Sequence, residues 1–342
     1  MTSRVRWILV SLIAVVAIGT TAVVTVFAWQ QYQARQRAPS EAETASASEW
    51  ASGDRVVFRN TASGQGYGYA ASVQLSDPSG PRAVTGTPCD RVDATDAEFV
   101  CLRSERGIAP SYTSTLYTND AETVSEWPLP GIPSRTRISD DSALIATTAF
   151  VTGHSYATVG FSTETVIRNR GGESLGNLEE FTFVVDGKPV APVDRNFWGV
   201  TFIDDNAFYA TAQTGGKTYM VEGDLDSQTL TTVADDVECP SLSPDGKRVA
   251  FKRVTSGSGP TVHWTPAILD LATGEVELLP ESRSFDDQIE WLDDAHVVYG
   301  LNREPGKENG ATADVWVAPA DGSGKATLLI ARALPPGTTR PR

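Results

Sequence analysis

Glu238, Asp286 and Asp287 are the side chains in this 342-residue chain best suited by type to hold a hard cation. Oxygen ligands of this kind would fit Ca2+ in a channel, and through it a metal-dependent lactonase- or lyase-type reaction. Other groups able to do chemistry are sparse. "GHSYA", residues 153–157, has the outline of a nucleophile elbow, but that motif needs a helix after it, and "TVGFSTETVI" reads as a strand. His154, His263 and His296 are the three histidines, and they lie in different units of the chain. A lone histidine of this sort reads first as a hydrogen-bonded structural residue. No His-Cys spacing suits zinc, and no glycine loop opens a helix to cradle phosphate. The expectation is therefore no catalytic residue, no resident metal and no cofactor, with Ca2+ in a central channel kept as an alternative.

The paired acids Asp140–Asp141, Asp204–Asp205 and Asp293–Asp294 also invite a metal reading. Their setting favours another. Each sits between two short apolar runs, where "SLSPDGKRVAF" from Ser241 has Ser-Pro-Asp-Gly. Proline fixes φ at the first turn position, Asp accepts from free backbone N–H groups, and Gly takes the left-handed conformation. The Asp pairs do the same work in degraded copies.

Those copies define the architecture. Strand-turn-strand units begin at Trp50, Arg91, Arg137, Thr201, Ser241 and Glu290, with equivalent turn positions at Asp54, Asp96, Asp141, Asp205, Gly246 and Asp294. The intervals are 42, 45, 64, 41 and 48 residues, and four of them match a propeller blade of roughly 40 to 50 residues. A second series falls midway through the units: "LSDPSGPRAV", "YTNDAETV", "VVDGKPVAPV", "DLDSQTLTTV", "LDLATGEVELL" and "APADGSGKATLL". Each reads as the hairpin joining the outer two strands of a blade. The fold expected is all-β, a six-bladed β-propeller over residues 49–332, with an insertion in the third blade around "RNRGGESLGNLEEF".

Outside the propeller the chain changes character. Residues 7–29 carry no charge, about the ~20 residues a membrane span needs. This is expected to be an uncleaved signal anchor, with a cleaved, secreted form as the alternative. Residues 1–6 would be cytoplasmic, 30–48 a flexible stalk, and 333–342 a disordered Pro/Arg tail. The formal net charge of −15 argues against nucleic acid as a partner. Four arginines precede the first acid, so the rest of the chain carries −19 and would be repelled by an anionic membrane surface.

Cys89 and Cys101 flank a turn centred on residue 95, which would set them opposite each other in a regular hairpin and allow a disulfide. Cys239 is left over and reads as a small buried residue at the start of an inner strand.

"SLSPDGKRVAF" resembles the PD40, or WD40-like, repeat of TolB-type propellers. "CDRVDATDAEFVCLR", "VTGHSYATVGFSTET", "NFWGVTF", "TGGKTYMVEGD", "VECPSLSPDG" and "DDQIEW" are similar to segments of actinobacterial TolB-like proteins, a likeness covering roughly residues 50 to 332. The resemblance implies the propeller fold. TolB itself is a periplasmic propeller that binds a lipoprotein partner. In this chain a membrane segment stands where TolB has an α/β domain.

In a propeller, loops that lead into inner strands and loops joining second to third strands share one face. His154, Asn196, Trp198, Gly215, Thr218, Glu238, Asp286, Asp287 and Gln288 are all expected there, opposite the Ser-Pro-Asp-Gly turn, as a candidate binding face. The competing reading is that they cap inner strands around the channel. The leading function is a non-enzymatic, membrane-tethered module that binds a protein or envelope component. The alternatives are a small-ligand or carbohydrate sensor using Trp198, Tyr219 and the acids, and a metal-dependent enzyme.

Overall fold

The computed structural model describes residues 3–51, 53–107, 109–151, 162–303 and 312–339. Six sheets follow one another along the chain, the arrangement of a six-bladed β-propeller. Blades two to six begin with Arg91–Ala94, Ile132–Ile138, Asn196–Phe202, Glu238–Leu242 and Ile289–Asp293, and each of these is strand A, nearest the axis. Strands B, C and D follow outward by antiparallel pairing. The A–B and C–D turns form one face, called here the turn face. The B–C and D–A connections form the other, the loop face.

The blades hold together through cores that lie between neighbours. Strand B is buried on both sides where it is sandwiched, as in Leu144–Val151, so it reads as a nearly continuous buried run, Thr147 and Thr148 included, rather than an alternating one. One core joins Val100, Leu116 and Trp127 of blade two to Ile138 and Ile145 of blade three. Another joins Leu144 and Ile167 to Phe197 and Phe208 of blade four.

Three expectations need correction. Blade one is completed by Ala333–Thr339, assigned above to a tail. This segment pairs antiparallel with Arg55–Asn60 and supplies strand A, while Arg55–Asn60, Tyr69–Gln74 and Arg82–Pro88 supply B to D. Strand B needs an inner partner for its backbone N–H and C=O groups, and the C-terminal segment provides it. The ring thus closes by joining the two ends of the propeller chain.

The stalk is likewise structured. The N-terminal helix runs Ser3–Arg37, without charge from Trp7 to Ala34, and Thr44–Ala45 add a parallel strand to the outer edge of blade one.

Finally, the third blade's outer hairpin is Ser162–Asn169 with Ser174–Asn177, so "RNRGGES" is that hairpin's turn. The inserted piece is the following segment, whose hairpin Thr182–Val185 and Lys188–Val190 adds to blade four, parallel to Thr229–Asp235. Leu178, Phe181 and Phe183 pin it into the core between blades three and four.

Candidate functional site

Two ends of the channel have to be told apart, and the inner strands set the difference. At the loop-face end, blade six reaches across the axis to blade three. Arg135 Nη1 lies 3.4 Å from Asp287, Gln288 Nε2 donates to the Thr136 carbonyl at 3.3 Å, and Arg137 pairs with Glu290. Arg91 of blade two adds two contacts to Asp287, at 2.8 and 3.0 Å. Beside this network Lys252, buried on strand B of blade five, pairs with Asp286 and lies 3.5 Å from Glu238. Its ammonium also sits 4.5 Å from the Trp264 ring centroid, and Trp264 Nε1 donates to Glu238 at 3.3 Å.

Burial and charge pull these carboxyls in opposite directions. Burial pushes Asp287 up, but the fields of Arg91 and Arg135 outweigh it and hold the group below the usual carboxylate range. For Glu290 burial wins: even with Arg137 alongside, it is pushed up to about 7, helped by neighbouring Asp93. Asp93 is raised for the same first reason, burial, against the pull of Arg137. Arg137 therefore stands between two buried acids. A cavity of only about 10 Å³ remains among Arg91, Asp93, Asp287, Gln288 and Glu290.

The three carboxylates expected as cation ligands thus already have cationic partners within the protein. Among the described residues no cluster of three or more His, Cys, Asp or Glu is arranged to hold a metal ion.

The rest of the expected face divides. Asn196 accepts from the Thr163 backbone N–H at 3.0 Å and donates to the Asp194 carbonyl at 3.3 Å, tying blade four to blade three. Trp198 is 6 % exposed and packs inside the ring. Gly215 sits at a positive φ in the B–C turn of blade four, where its N–H donates to Asp194 at 2.7 Å, and buried Thr218 follows it. Glu238 and Asp286 come together through Lys252, and Asp287 and Gln288 through blade three. His154 lies outside the described residues.

At the turn-face end the channel opens into a funnel of about 820 Å³. The A–B turns of blades two to five line it, including Asp96, Asp140, Asp141, Asp204 and Asp205, with Arg137 and, from the inner strand of blade six, Glu290 and Trp291 toward the axis. The turn chemistry is as the sequence suggests. Asp141 accepts from Ser139 Oγ at 2.7 Å and the Ala143 N–H at 3.0 Å, and Asp245 accepts from Ser243 Oγ at 2.6 Å and the Lys247 N–H at 3.1 Å. Asp204 accepts from the N–H groups of Asn206 and Ala207. These hydrogen bonds hold Asp141, Asp204 and Asp245 below the usual range, so all three are charged at neutral pH.

Sequence reasoning missed the cations of the channel: Arg91, Arg135, Arg137 and Lys252. A signal was present. Arg135 and Arg137 alternate in "SRTRI", and Lys252 interrupts the apolar "VAFKRV". A charge inside an otherwise buried strand implies a buried partner. The Cys89–Cys101 disulfide is present, with an S–S distance of 2.05 Å. Its geometry differs from the simple hairpin, because the register sets Val92 opposite Cys101 and leaves Cys89 in the D–A link before the strand. Cys239 is a buried free thiol at the start of an inner strand.

No protein-family model and no curated protein sequence matches the chain. Solved structures do. TolB from Acinetobacter baumannii is similar at a TM-score of 0.57 and 17 % identity, over 83 % of this chain and 66 % of that one. A chain of a nidogen/laminin complex is similar at a TM-score of 0.50 and 12 % identity, over 84 % of this chain and 98 % of that one. A puromycin hydrolase is similar at 0.48 and 13 %, over 81 % and 43 %. The chain thus spans about two thirds of the TolB structure. At these identities the likeness is one of fold, and by fold the chain is a TolB-like six-bladed β-propeller.

Proposed function

We propose that the protein is a membrane-tethered, extracytoplasmic propeller, built from PD40-type repeats like those of actinobacterial TolB-like proteins, that binds a protein or cell-envelope component without catalysing a reaction. The observation that carries this reading is the funnel of about 820 Å³ on the turn face. It has room for a short peptide segment, five blades contribute to it, and its Asp141 and Asp204 carboxylates are held in the charged form. A segment rich in Lys or Arg would complement it. Trp291, 4 % exposed with its indole N–H donating to the Ser241 carbonyl at 2.8 Å, gives the funnel a rigid aromatic wall.

The loop-face residues support a different role. Asp287 and Gln288 are occupied in holding blades together and Glu238 in joining the strands of blade five, which favours strand capping over partner capture for them. The helix Ser3–Ala34 and the Cys89–Cys101 disulfide support placement of the propeller on the oxidising side of a membrane.

The test is site-specific photocrosslinking in native membranes, with the crosslinker at Ile203 on the funnel rim. A discrete adduct is expected, and it should be lost when Asp140 and Asp204 are both changed to Lys. An adduct indifferent to that charge reversal, or none at all, would remove the funnel as the binding site.

A further inference from the structure

The N-terminal helix leads into the propeller with no slack. Ala38 N still donates to Ala34 O of the helix at 3.0 Å, while Ala38 O accepts from Gln65 N at 2.9 Å. Glu41 N donates to Ser63 O and Arg82 N to Glu43 O, each at 2.9 Å, and Thr44–Ala45 pair with Arg82–Ala83. The Glu41 carboxylate meets Arg332. Gly64, at φ +98°, allows the close approach: a Cβ there would sit 2.3 Å from Pro39 O. Residues 61–68 are the B–C loop of blade one, and Arg332 lies in the link from blade six to blade one, so both belong to the loop face. The last turn of the helix is therefore fastened to the rim of that face.

Charge distinguishes the faces. The eleven turns of the turn face hold fourteen acids against three bases, a net −11. The B–C and D–A connections of the loop face hold nine acids against five bases among the described residues, a net −4, and Glu281, Asp286 and Asp287 have basic partners; the strap adds Glu41, paired with Arg332, and Glu43. Exposed apolar side chains stand at both rims, in a slightly larger set at the loop face. Ile132, Phe150, Val193 and Val254 stand at the loop face, at strand ends or in a link, and Ile132 and Phe150 are cross-strand partners. At the turn face Ile203 is exposed in a turn, and Val276 and Leu328 at the starts of outer strands.

We infer that the propeller stands on the bilayer with its loop face toward the lipid headgroups and its acidic funnel turned away from them. This rests on the reading of the helix as a membrane span. The strap fixes which rim is nearest the membrane. Charge then favours this pose: repulsion between an anionic headgroup layer and fixed acids decays over about 10 Å in salt, so the acid-rich face is more favourable on the far side. The apolar residues of the near face meet the interfacial layer, where their exposure costs least. A partner approaching from outside the membrane would then meet the funnel first, and the ion-paired end of the channel would be shielded.

The experiment uses the full chain in vesicles of phosphatidylcholine and phosphatidylglycerol that carry a headgroup nitroxide lipid. Single cysteines bearing a small fluorophore are placed by Val193→Cys and Val254→Cys on the loop face and by Asp120→Cys and Lys325→Cys on the turn face. All four positions are exposed, Cys239 is buried and the other two cysteines are paired, so labelling is selective. Quenching at 193 and 254 should exceed that at 120 and 325 several-fold. Equal quenching, the reverse order, or no quenching at any position overturns the orientation. Flotation of the same vesicles separates the two claims: protein that fails to float with lipid overturns the membrane-span reading, and the orientation with it.

Discussion

Arg137 and Glu290 meet across the axis of the ring, from the inner strands of blades three and six. Blades in a propeller otherwise pack only on their neighbours, as the cores here do. This pair, with Arg135–Asp287 and Gln288–Thr136 beside it, ties opposite blades directly and makes the loop-face end of the channel a lock.

Asp287→Asn removes the charge shared by Arg91 and Arg135 and leaves buried Arg135 and half-buried Arg91 without their common carboxylate. Breaking a buried pair from one side typically costs about 3 to 5 kcal/mol. Chemical denaturation of the variant should show a loss in that range, whereas Asp226→Asn in an exposed C–D turn should change stability by less than about 1 kcal/mol.

Glu290 sets a pH dependence. Its folded-state pKa is raised by burial to about 7 from the ordinary glutamate value of 4.5, so the folded protein binds the proton more tightly than the unfolded chain does. Stability therefore falls as pH rises from about 4.5 to about 7 and levels off above that, a drop of up to about 3 kcal/mol from this group at 1.36 kcal/mol per pH unit. Glu290→Gln, neutral throughout, should flatten the decline across that window when unfolding midpoints are compared pH by pH. Asp93, raised in the same direction, will contribute a residual slope.

Deleting residues 333–342 removes strand A of blade one and exposes the backbone edge of Arg55–Asn60. The ring should open. Loss of a single cooperative unfolding transition, and faster proteolysis within blade one, are the expected outcomes. A truncated protein as stable as the full chain would show that closure does not depend on this strand.

Cys89→Ser with Cys101→Ser should destabilise the propeller by about 3 kcal/mol, because the bridge closes a short loop of sequence separation 12. The ring should still assemble, since Phe99, Val57 and Trp50 hold the core between blades one and two independently of the sulfurs. Reducing agent should reproduce the loss in the unmutated protein.

What the sequence determined by itself is what local chemistry encodes. Proline, Asp and Gly at Pro244, Asp245 and Gly246 specify a turn from their own φ preferences and side-chain acceptors, and the periodic return of such turns counts the blades. A run without charge from residue 7 to residue 29 specifies a helix long and apolar enough to span a bilayer. Tertiary structure decided everything that joins distant residues. Pairing Arg55–Asn60 with Ala333–Thr339 links positions nearly the whole propeller apart, and no periodicity reports which end of a chain closes a ring. The insertion hairpin looked like a blade's outer hairpin because both use the same Asp-Gly turn, and only the parallel pairing of Thr182–Val184 with Thr229–Thr231 assigns it to the next sheet. The candidate acids were visible as Glu238, Asp286 and Asp287, but their role depended on Lys252, Arg91 and Arg135, brought to them from other blades. A carboxylate's type is written in the chain, whereas whether it is free to bind depends on which cation the fold sets against it.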